Sequence, residues 1–174
     1  MKDIFRTLNE MQADGVIGRY AIGGAVGATF YLEPVATLDV DVFVLLAQAP
    51  NSLLITLEPL YRYLLPRGGR MEGEYIIISD WPVQFLPPGN ALEEEAIARA
   101  VTVQVEGTPV KVMSAEHLAA IALRLGRAKD HARVLQFVEA GALDPDRLNA
   151  LLTEHDLLDK WEKFRNCYLD PEAS

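Results

Sequence analysis

Residues 20–44 read YAIGGAVGATFYLEPVATLDVDVFV, and this stretch decides the fold. The β-branched and aromatic residues at 19–22 predict a short strand, which Gly23 and Gly24 end. Residues 25–32 resume as a short helix, and Pro34 stops it because the residue before a proline is pushed out of the helical region. Residues 38–46 first alternate acidic with apolar side chains and then become continuously apolar. They predict a strand with one exposed end and one buried end.

The acidic end of the second predicted strand carries the strongest chemical signal. Asp39 and Asp41 are two residues apart, so both side chains leave the same face of the strand. Neighbouring carboxylates repel each other unless a cation lies between them, and Mg²⁺ prefers such hard oxygen ligands. The backbone N–H groups of Gly23 and Gly24 can approach a phosphate. A phosphate cradle followed by a carboxylate pair indicates metal-assisted phosphoryl or nucleotidyl transfer.

The rest of the chain predicts an α+β fold, with a mixed β-sheet flanked by helices and a helical half after it. Apolar spacing and capping residues predict helices at residues 4–14, 52–65, 91–100, 115–125, 129–140, 145–154 and 156–168, and strands at 75–78, 83–86, 101–105 and 108–112. We expect Pro59 to interrupt the second of these helices. Asp80, Trp81 and Pro82 are expected in the turn between the first two of these strands. We expect an α+β domain over residues 1–113 and a helical region over 114–174 that packs on it, or one continuous domain.

Composition excludes several classes of protein. The 174 residues include 16 basic and 25 acidic side chains, which gives a net charge of 16 − 25 = −9. This charge argues against sequence-independent binding of long nucleic acids. Cys167 is the only cysteine, so an intramolecular disulfide is excluded. No secretory signal or apolar run of about 18 residues is present, and we expect a cytoplasmic protein without a membrane span.

These motifs resemble the nucleotidyltransferase superfamily that shares the DNA polymerase β-like palm. The similarity is greatest to bacterial minimal nucleotidyltransferases, including the toxins of abortive-infection (type IV toxin–antitoxin) systems. Gly23, Gly24, Asp39 and Asp41 match the family's glycine pair and Asp-x-Asp strand, and Thr37 matches two residues before the first acid. A Gly-Arg-x-Lys-Asp turn between two later helices is also typical of these families, and residues 126–130 reproduce it.

The resemblance implies roles for these residues. Asp39 and Asp41 would bind Mg²⁺, and the glycines would receive the phosphates of a nucleoside triphosphate substrate. Lys129 would reach the triphosphate, while Thr37, Arg127 and Asp130 complete the nucleotide-binding positions. The acceptor is open between tRNA and protein, and an antitoxin-like partner and a homodimer are both compatible with the resemblance.

Three positions depart from the family pattern. Gln84 stands where the family has its third carboxylate, and the nearby acids Asp80 and Glu74 could each replace it. Val35 replaces a basic residue before the Asp-x-Asp strand, and Arg133 replaces an acid after the Lys-Asp pair. The alternative hypothesis is therefore a non-catalytic nucleotide-binding or regulatory protein on the same fold. A third hypothesis is an interaction module whose acids are merely solvated.

Other motifs in the sequence are weaker indications of function. Gly23, Gly24 and Gly27 form an imperfect dinucleotide-binding loop, but the following acids begin their predicted strand instead of ending it. The three histidines share no metal-ligand spacing, and we interpret His117 as an ordinary surface or helix-contact residue.

Overall fold

A mixed seven-stranded sheet forms the centre of the computed structural model, which describes residues 1–34, 37–46 and 56–170. The strands are β1 (Ile17–Ile22), β2 (Val40–Leu46), β3 (Arg70–Glu72), β4 (Tyr75–Ile78), β5 (Trp81–Leu86), β6 (Val101–Val105) and β7 (Thr108–Val112). Their order across the sheet is β3-β4-β5-β2-β1-β7-β6. Strands β2 and β5 pair in parallel, as do β1 and β7, and the other neighbours are antiparallel. The mixed sheet is thereby confirmed.

Eight helices accompany the sheet in the described part of the chain. They are α1 (Lys2–Ala13), α2 (Gly24–Ala28), α3 (Glu58–Leu64), α4 (Ala91–Ala98), α5 (Ala115–Leu125), α6 (Ala128–Glu139), α7 (Pro145–Glu154) and α8 (Leu158–Tyr168). A 3-10 turn over Leu65–Arg67 extends α3. Everything after β7 is helical as far as the structure describes it, so the predicted α+β class is confirmed.

The central strand β2 separates two apolar cores. Val40, Val42 and Val44 are fully buried in a first core, which also contains the apolar face of α1. Phe43 and Leu45 point to the opposite face and pack on a second core, built mainly from α4 and α5–α8. Because side chains alternate along a strand, Asp41 lies on the face that is directed toward the C-terminal helices.

Two local predictions were wrong, and one strand was not predicted. Trp81 and Pro82 belong to β5, and the turn before them consists of Ser79 and Asp80, both with positive φ as a two-residue hairpin turn requires. Strand β3 escaped prediction because its three residues are all exposed and carry no apolar alternation. Asp39 precedes the first residue of β2 and does not lie on the strand.

Two further predictions concern the segment before β3. Helix α3 begins at Glu58, and Pro59 lies in its first turn, where proline is tolerated, so it does not interrupt the helix. Residues 52–55 of the predicted helix lie outside the described residues, as does Val35. None of the described helices combines the length and apolarity that a membrane span requires.

Candidate functional site

A cavity of about 690 Å³ lies between the acidic end of β2 and the start of α6. Its lining includes eight of the residues predicted for the site: Gly24, Thr37, Asp39, Asp41, Gln84, Arg127, Lys129 and Asp130. Residues from distant parts of the sequence therefore meet here. Gly23, the remaining predicted site residue, lies beside the cavity but outside its lining.

The two aspartates form the acidic wall of the cavity. The Thr37 hydroxyl lies 3.2 Å from the Asp39 carbonyl oxygen and 3.4 Å from its Oδ1, so Thr37 positions the first acid. Burial raises the pKa of Asp41, and the charge of Asp39 raises it further. Arg133, Lys129 and Arg127 act in the opposite direction. Two carboxylates in mutual repulsion, offering hard oxygen atoms, fit the ligand requirements of Mg²⁺.

The glycine pair is constrained by the same acids. Gly24 has φ of +55°, and a Cβ at this position would overlap the Asp41 carboxylate. The N–H of Gly23 donates a 2.9 Å hydrogen bond to the Asp41 carbonyl oxygen. Of the two backbone N–H groups expected to receive phosphates, that of Gly23 is thus already bonded within the fold. Gly24 is the one that lines the cavity.

Gln84 lies directly beside Asp41. The two residues are paired in the parallel register of β2 and β5, so their side chains share one face of the sheet. Gln84 Nε2 donates a 2.9 Å hydrogen bond to Glu74 Oε2. Glu74 lies in the turn between β3 and β4 and lines the cavity, whereas Asp80 lies in the β4–β5 turn and does not. The structure therefore separates two acids that the sequence left equivalent.

The opposite wall of the cavity is basic. Arg127 is the N-cap of α6, and its Nε and Nη2 donate to Asp130 Oδ2 and Oδ1 at 2.6 and 3.2 Å. The Arg127 backbone N–H also donates to Asp130 Oδ2, at 3.2 Å. Asp130 is 1% exposed and has both carboxylate oxygens engaged. Burial acts to raise its pKa, but the hydrogen bonds and charge of Arg127 outweigh burial and lower it. Asp130 therefore acts as the anchor of Arg127.

Lys129 and Arg133 are the remaining bases of this wall. They are four residues apart on α6 and so lie on one side of the helix. Neither has an ion-pair partner in the part of the chain that the structure describes. Both lower the pKa of Asp41 across the cavity. The sequence presents Arg133 both as a departure from the family pattern and as one of four bases within residues 124–133 that form the best local anion site outside the glycine turn, and the structure places it in the lining of this cavity.

Sequence reasoning missed Tyr75, the first residue of β4. Burial raises the pKa of its hydroxyl, and the charge of Asp39 raises this pKa further. The apolar floor of the cavity was also not predicted; its members are Phe43, Leu86, Met113, Leu118, Ile121, Ala122 and Leu125. These residues come from β2, β5, the residue after β7, and α5, and their meeting depends on the tertiary packing.

The arrangement places an acidic wall opposite a basic wall over an apolar floor. Such a site can hold a cation on the acids and an anionic group between that cation and the bases. A phosphate group with a bound metal ion supplies both the cation and the anionic group. The antiparallel pairing of β1 with β2 excludes the dinucleotide-binding interpretation of the glycines, because that unit requires parallel strands around its helix.

Comparisons with known proteins address the fold. No protein-family model matches the sequence, and no curated protein matches it. The crystal structure of an antigenic nucleotidyltransferase-like protein from Paracoccidioides brasiliensis is similar with a TM-score of 0.56, at 17% identity over 94% of this chain and 91% of that one. The crystal structure of ANT(2'')-Ia in complex with adenylyl-2''-tobramycin gives a TM-score of 0.48, at 16% identity over 96% and 98% of the two chains. The similarity to the first of these structures shows that the chain shares its nucleotidyltransferase-like fold.

Proposed function

We propose that the protein is a Mg²⁺-dependent nucleotidyltransferase, which moves a nucleoside monophosphate from a nucleoside triphosphate to an acceptor. One observation carries the proposal: Asp41 faces Asp39 on its own side of the cavity and Lys129 and Arg133 on the other. The acids match a divalent cation, and the bases match the phosphates that such a cation accompanies.

Asp39 and Asp41 would hold the metal. Mg²⁺, when bound, stabilises negative charge on the attacking and leaving oxygens of an in-line displacement at phosphorus. Thr37 holds the Asp39 carboxylate in place through its hydroxyl group. Gly24 lets the backbone approach Asp41 and a phosphate closely, because it has no side chain in that space.

Glu74 is the residue that we expect to supply, from the outer shell of the metal site, the negative charge of the family's third carboxylate. Gln84 occupies the corresponding place beside Asp41 and ties Glu74 to the cavity wall through its amide nitrogen. The amide oxygen of Gln84 remains a neutral acceptor, while Glu74 contributes the negative charge. Glu74→Gln should lower transfer about 10- to 100-fold, the usual effect of removing a partner from the outer shell of a metal site. Asp80→Asn is the matched control, because Asp80 lies in an exposed turn outside the lining.

The bases would bind the triphosphate. Arg127 is held rigidly by Asp130, so it offers a fixed positive charge at the entrance of α6. Lys129 and Arg133 are free to turn toward phosphate oxygens. We expect Lys129→Ala and Arg133→Ala to raise the KM for the nucleotide, since both side chains would be used for binding.

A transfer assay tests the function. The purified protein is incubated with each nucleoside triphosphate labelled at the α-phosphate, with Mg²⁺ or Mn²⁺, and with separate RNA and protein fractions as acceptors. The proposal predicts label in one fraction and its loss in Asp41→Asn. An assay in which an active nucleotidyltransferase labels its acceptor, and this protein labels neither fraction with any nucleotide, would contradict it.

A non-catalytic nucleotide-binding protein is the second candidate, and Gln84 is the observation that favours it. A neutral amide beside Asp41 supplies neither a base nor metal-binding charge. In this case the wild-type protein would bind nucleotide without transferring it, and Gln84→Asp would increase the affinity for Mg²⁺ or create activity. Unchanged metal affinity in the folded Gln84→Asp variant would argue against a decayed catalytic site.

A further inference from the structure

The two edges of the seven-stranded sheet differ in how well they are protected from pairing with another chain. An edge strand presents unpaired backbone N–H and C=O groups, and charged side chains or a short length usually prevent contact with a further strand. Strand β3, at one edge, has only three residues, and two of them are Arg70 and Glu72. Strand β6, at the other edge, has the uncharged sequence VTVQV over residues 101–105. The β6 edge therefore has neither form of protection.

The outward backbone groups of β6 belong to Thr102 and Gln104. A two-residue turn at residues 106–107, with positive φ at both positions, joins β6 to β7, and Val105 pairs with Thr108 at its base. The closing pair of such a hairpin is hydrogen-bonded, so the odd-numbered residues of β6 bond to β7. Thr102 and Gln104 then point their N–H and C=O groups outward. Outside the β6–β7 pairing, no hydrogen bond among the described residues reaches these groups.

The contacts of Pro109 support this orientation. Pro109 lies opposite Gln104 in β7, and its carbonyl oxygen accepts a 2.8 Å hydrogen bond from Asn9 Nδ2 of α1. This carbonyl is therefore directed away from β6, as it is in an antiparallel pair that is not hydrogen-bonded. Proline also has no N–H to donate to Gln104. The backbone groups of Gln104 consequently face away from the sheet.

The side chains of β6 divide between an apolar face and a polar face. Val101, Val103 and Val105 share one face, because side chains alternate along a strand. Val103 and Val105 pack against the first core, whereas Val101 is 40% exposed. Thr102 and Gln104 are exposed on the other face. A further strand on this edge would extend the first core if it brought an apolar face to the same side.

A second copy of β6 meets these requirements in an antiparallel register centred on Val103. Thr102 then lies opposite Gln104 of the partner subunit, and the same pair recurs by symmetry. Each pair exchanges two backbone hydrogen bonds, which gives about four in all. Val103 meets its own copy on the twofold axis, and Val101 meets Val105 of the partner subunit. All the valines therefore lie on one side of the joined strands.

The charges at the two ends of β6 also match a second copy. In the same register, the residue before β6 of one copy lies beside the turn after β6 of the other, so Arg99 approaches Glu106 of the partner subunit. Glu106 has no ion-pair partner within the described ranges. The Arg99 side chain contacts Glu95 but is 68% exposed. Each contact of a twofold dimer occurs twice, so the edge is complementary to itself in charge.

We propose that the chain forms a twofold-symmetric dimer in which the β6 strands of two copies pair antiparallel and join their sheets. A five-residue strand pair is smaller than a standard protein interface, so the dimer should exchange with the monomer at micromolar concentrations. Met113, which follows β7, lines the nucleotide cavity. The antiparallel arrangement directs the two β7 strands oppositely, so the two cavities lie at opposite ends of the joined sheet. The dimer uses no residue of the cavity lining and is independent of the proposed transfer activity.

Sedimentation equilibrium of the full-length protein tests the proposal from low micromolar to several hundred micromolar concentration. The salt concentration is about 0.15 M, which screens the repulsion between two chains of net charge −9 beyond about 8 Å. The average mass should rise from 19.3 kDa toward twice that value. A folded protein that stays monomeric at every concentration would overturn the proposal, whether or not the edge binds a strand of another protein.

A proline substitution tests the outward backbone groups. Gln104→Pro removes an N–H that does not bond to β7, and proline is tolerated on edge strands when its nitrogen faces solvent. The variant should dimerise about tenfold more weakly or worse, because the dimer loses two backbone hydrogen bonds. Gln104→Thr keeps the N–H and should dimerise like the wild type. Circular dichroism and the Tm establish that both variants are folded. Wild-type dimerisation by folded Gln104→Pro would overturn the proposal.

A charge reversal tests the ends of the interface. Glu106→Arg places a positive charge beside Arg99 of the partner subunit and should weaken dimerisation about threefold or more. Glu72→Arg changes the net charge equally at the opposite edge of the sheet, and it should dimerise more tightly than Glu106→Arg. Equal dimer affinities in these two variants would overturn the proposed interface.

Cysteine cross-linking tests the register. Cys167→Ser removes the only native thiol. In this background Val103→Cys should form a disulfide between two copies under mild oxidation, because opposite residues of a pair that is not hydrogen-bonded have Cα atoms about 4.5 Å apart. Val101→Cys should not, since it faces Val105 of the partner subunit, whereas Val101→Cys/Val105→Cys should cross-link. Absence of a cross-link in Val103→Cys, or equal cross-linking by Val101→Cys alone, would overturn the proposal.

Discussion

At the scale of single residues, Gly24 is the position where the turn after β1 comes closest to the Asp41 carboxylate. Its φ of +55° is one that L side chains rarely adopt, and the space where a Cβ would lie is filled by the Asp41 carboxylate. Gly24→Ala should therefore lose about 1 to 2 kcal/mol through backbone strain, and more through displacement of Asp41. Urea unfolding measures the stability, and nucleotide titration with Mg²⁺ measures the accompanying loss of binding.

Gly141→Ala is the matched control for this prediction. Gly141 has a similar φ of +61°, but no heavy atom lies within 4 Å of a Cβ built there. The Gly141→Ala variant should therefore lose only the free energy of unfolding that backbone strain costs. Equal losses in Gly24→Ala and Gly141→Ala would mean that the contact with Asp41 carries no weight. Shortening the acid in Gly24→Ala/Asp41→Ala should recover part of the lost stability, as coupled neighbours do.

The charge of Asp41 makes stability depend on pH. Burial first, and Asp39 second, raise its pKa in the folded state above the ordinary carboxyl value of 3.8. A raised folded pKa means that ionisation opposes folding, so the stability associated with the protonated form is lost as pH rises through the folded pKa. Without divalent metal, Asp41→Asn should be more stable than wild type at neutral pH. This advantage should disappear below pH 3.8, where wild-type Asp41 is also neutral.

Thermal unfolding of both proteins across this pH range measures the effect. Addition of Mg²⁺ should raise the Tm of wild type at neutral pH and leave Asp41→Asn unchanged, because the ion offsets the repulsion between the acids. A wild-type protein that is more stable than Asp41→Asn at neutral pH without metal would contradict this account of the acid pair.

At the scale of elements, the start of α6 determines the basic wall. Asp130 accepts from the Arg127 backbone and side chain at the N-terminus of the helix. Asp130→Ala should lose about 1 to 2 kcal/mol, as removal of a helix cap does, and should weaken nucleotide binding because Arg127 is released. Urea unfolding and nucleotide titration measure the two effects.

Asp144 provides the comparison. It caps α7 by accepting from the backbone of Asp146 and Arg147, and it lies outside the cavity lining. Asp144→Ala should lose about 1 kcal/mol of stability and bind nucleotide like the wild type. If Asp130→Ala lowered stability and left nucleotide affinity unchanged, Arg127 would have no role in binding.

The elements also show how far the sequence could predict the fold. Helices α5 to α8 and the β6–β7 hairpin were predictable because their apolar periodicity, caps and turn residues agree. Strand β3 could not be predicted, since all three of its residues are exposed and it pairs only with β4. Missing β3 hid the turn that carries Glu74, so the sequence could not choose between Glu74 and Asp80. The sequence also placed Trp81 in the turn, because the register of a short hairpin is set by backbone geometry that the residue pattern does not show.

Groups of residues also differ in how far the sequence could predict that they meet. The residues of the candidate site could be brought together from the sequence because short motifs group most of them, at residues 23–41 and 126–130. The contact between Glu95 and His155 could not be predicted, because the two residues are 60 positions apart and meet only through helix packing. His117, interpreted from the sequence as an ordinary surface or helix-contact residue, is buried against Glu95.

At the scale of the whole molecule, the second core belongs to both parts of the chain. Ala21, Leu92 and Ile97 from the first 113 residues pack in the same cluster as Leu123 and Phe137. We propose that residues 1–113 and the helices after them fold as one cooperative unit. A fragment of residues 1–113 would expose this face of the sheet, and it should lack a cooperative urea transition and near-ultraviolet circular dichroism. A fragment that unfolds cooperatively would show that the helical region is a separate domain.

The most direct test of the central claim is the binding of nucleotide to the cavity. ATP, GTP, CTP and UTP are titrated calorimetrically into the wild-type protein with and without Mg²⁺, and then into Asp41→Asn with Asp80→Asn as the control. The account predicts binding of at least one nucleotide that requires Mg²⁺, is lost in Asp41→Asn and persists in Asp80→Asn. Absence of binding to the folded wild-type protein, or equal binding by Asp41→Asn, would contradict it.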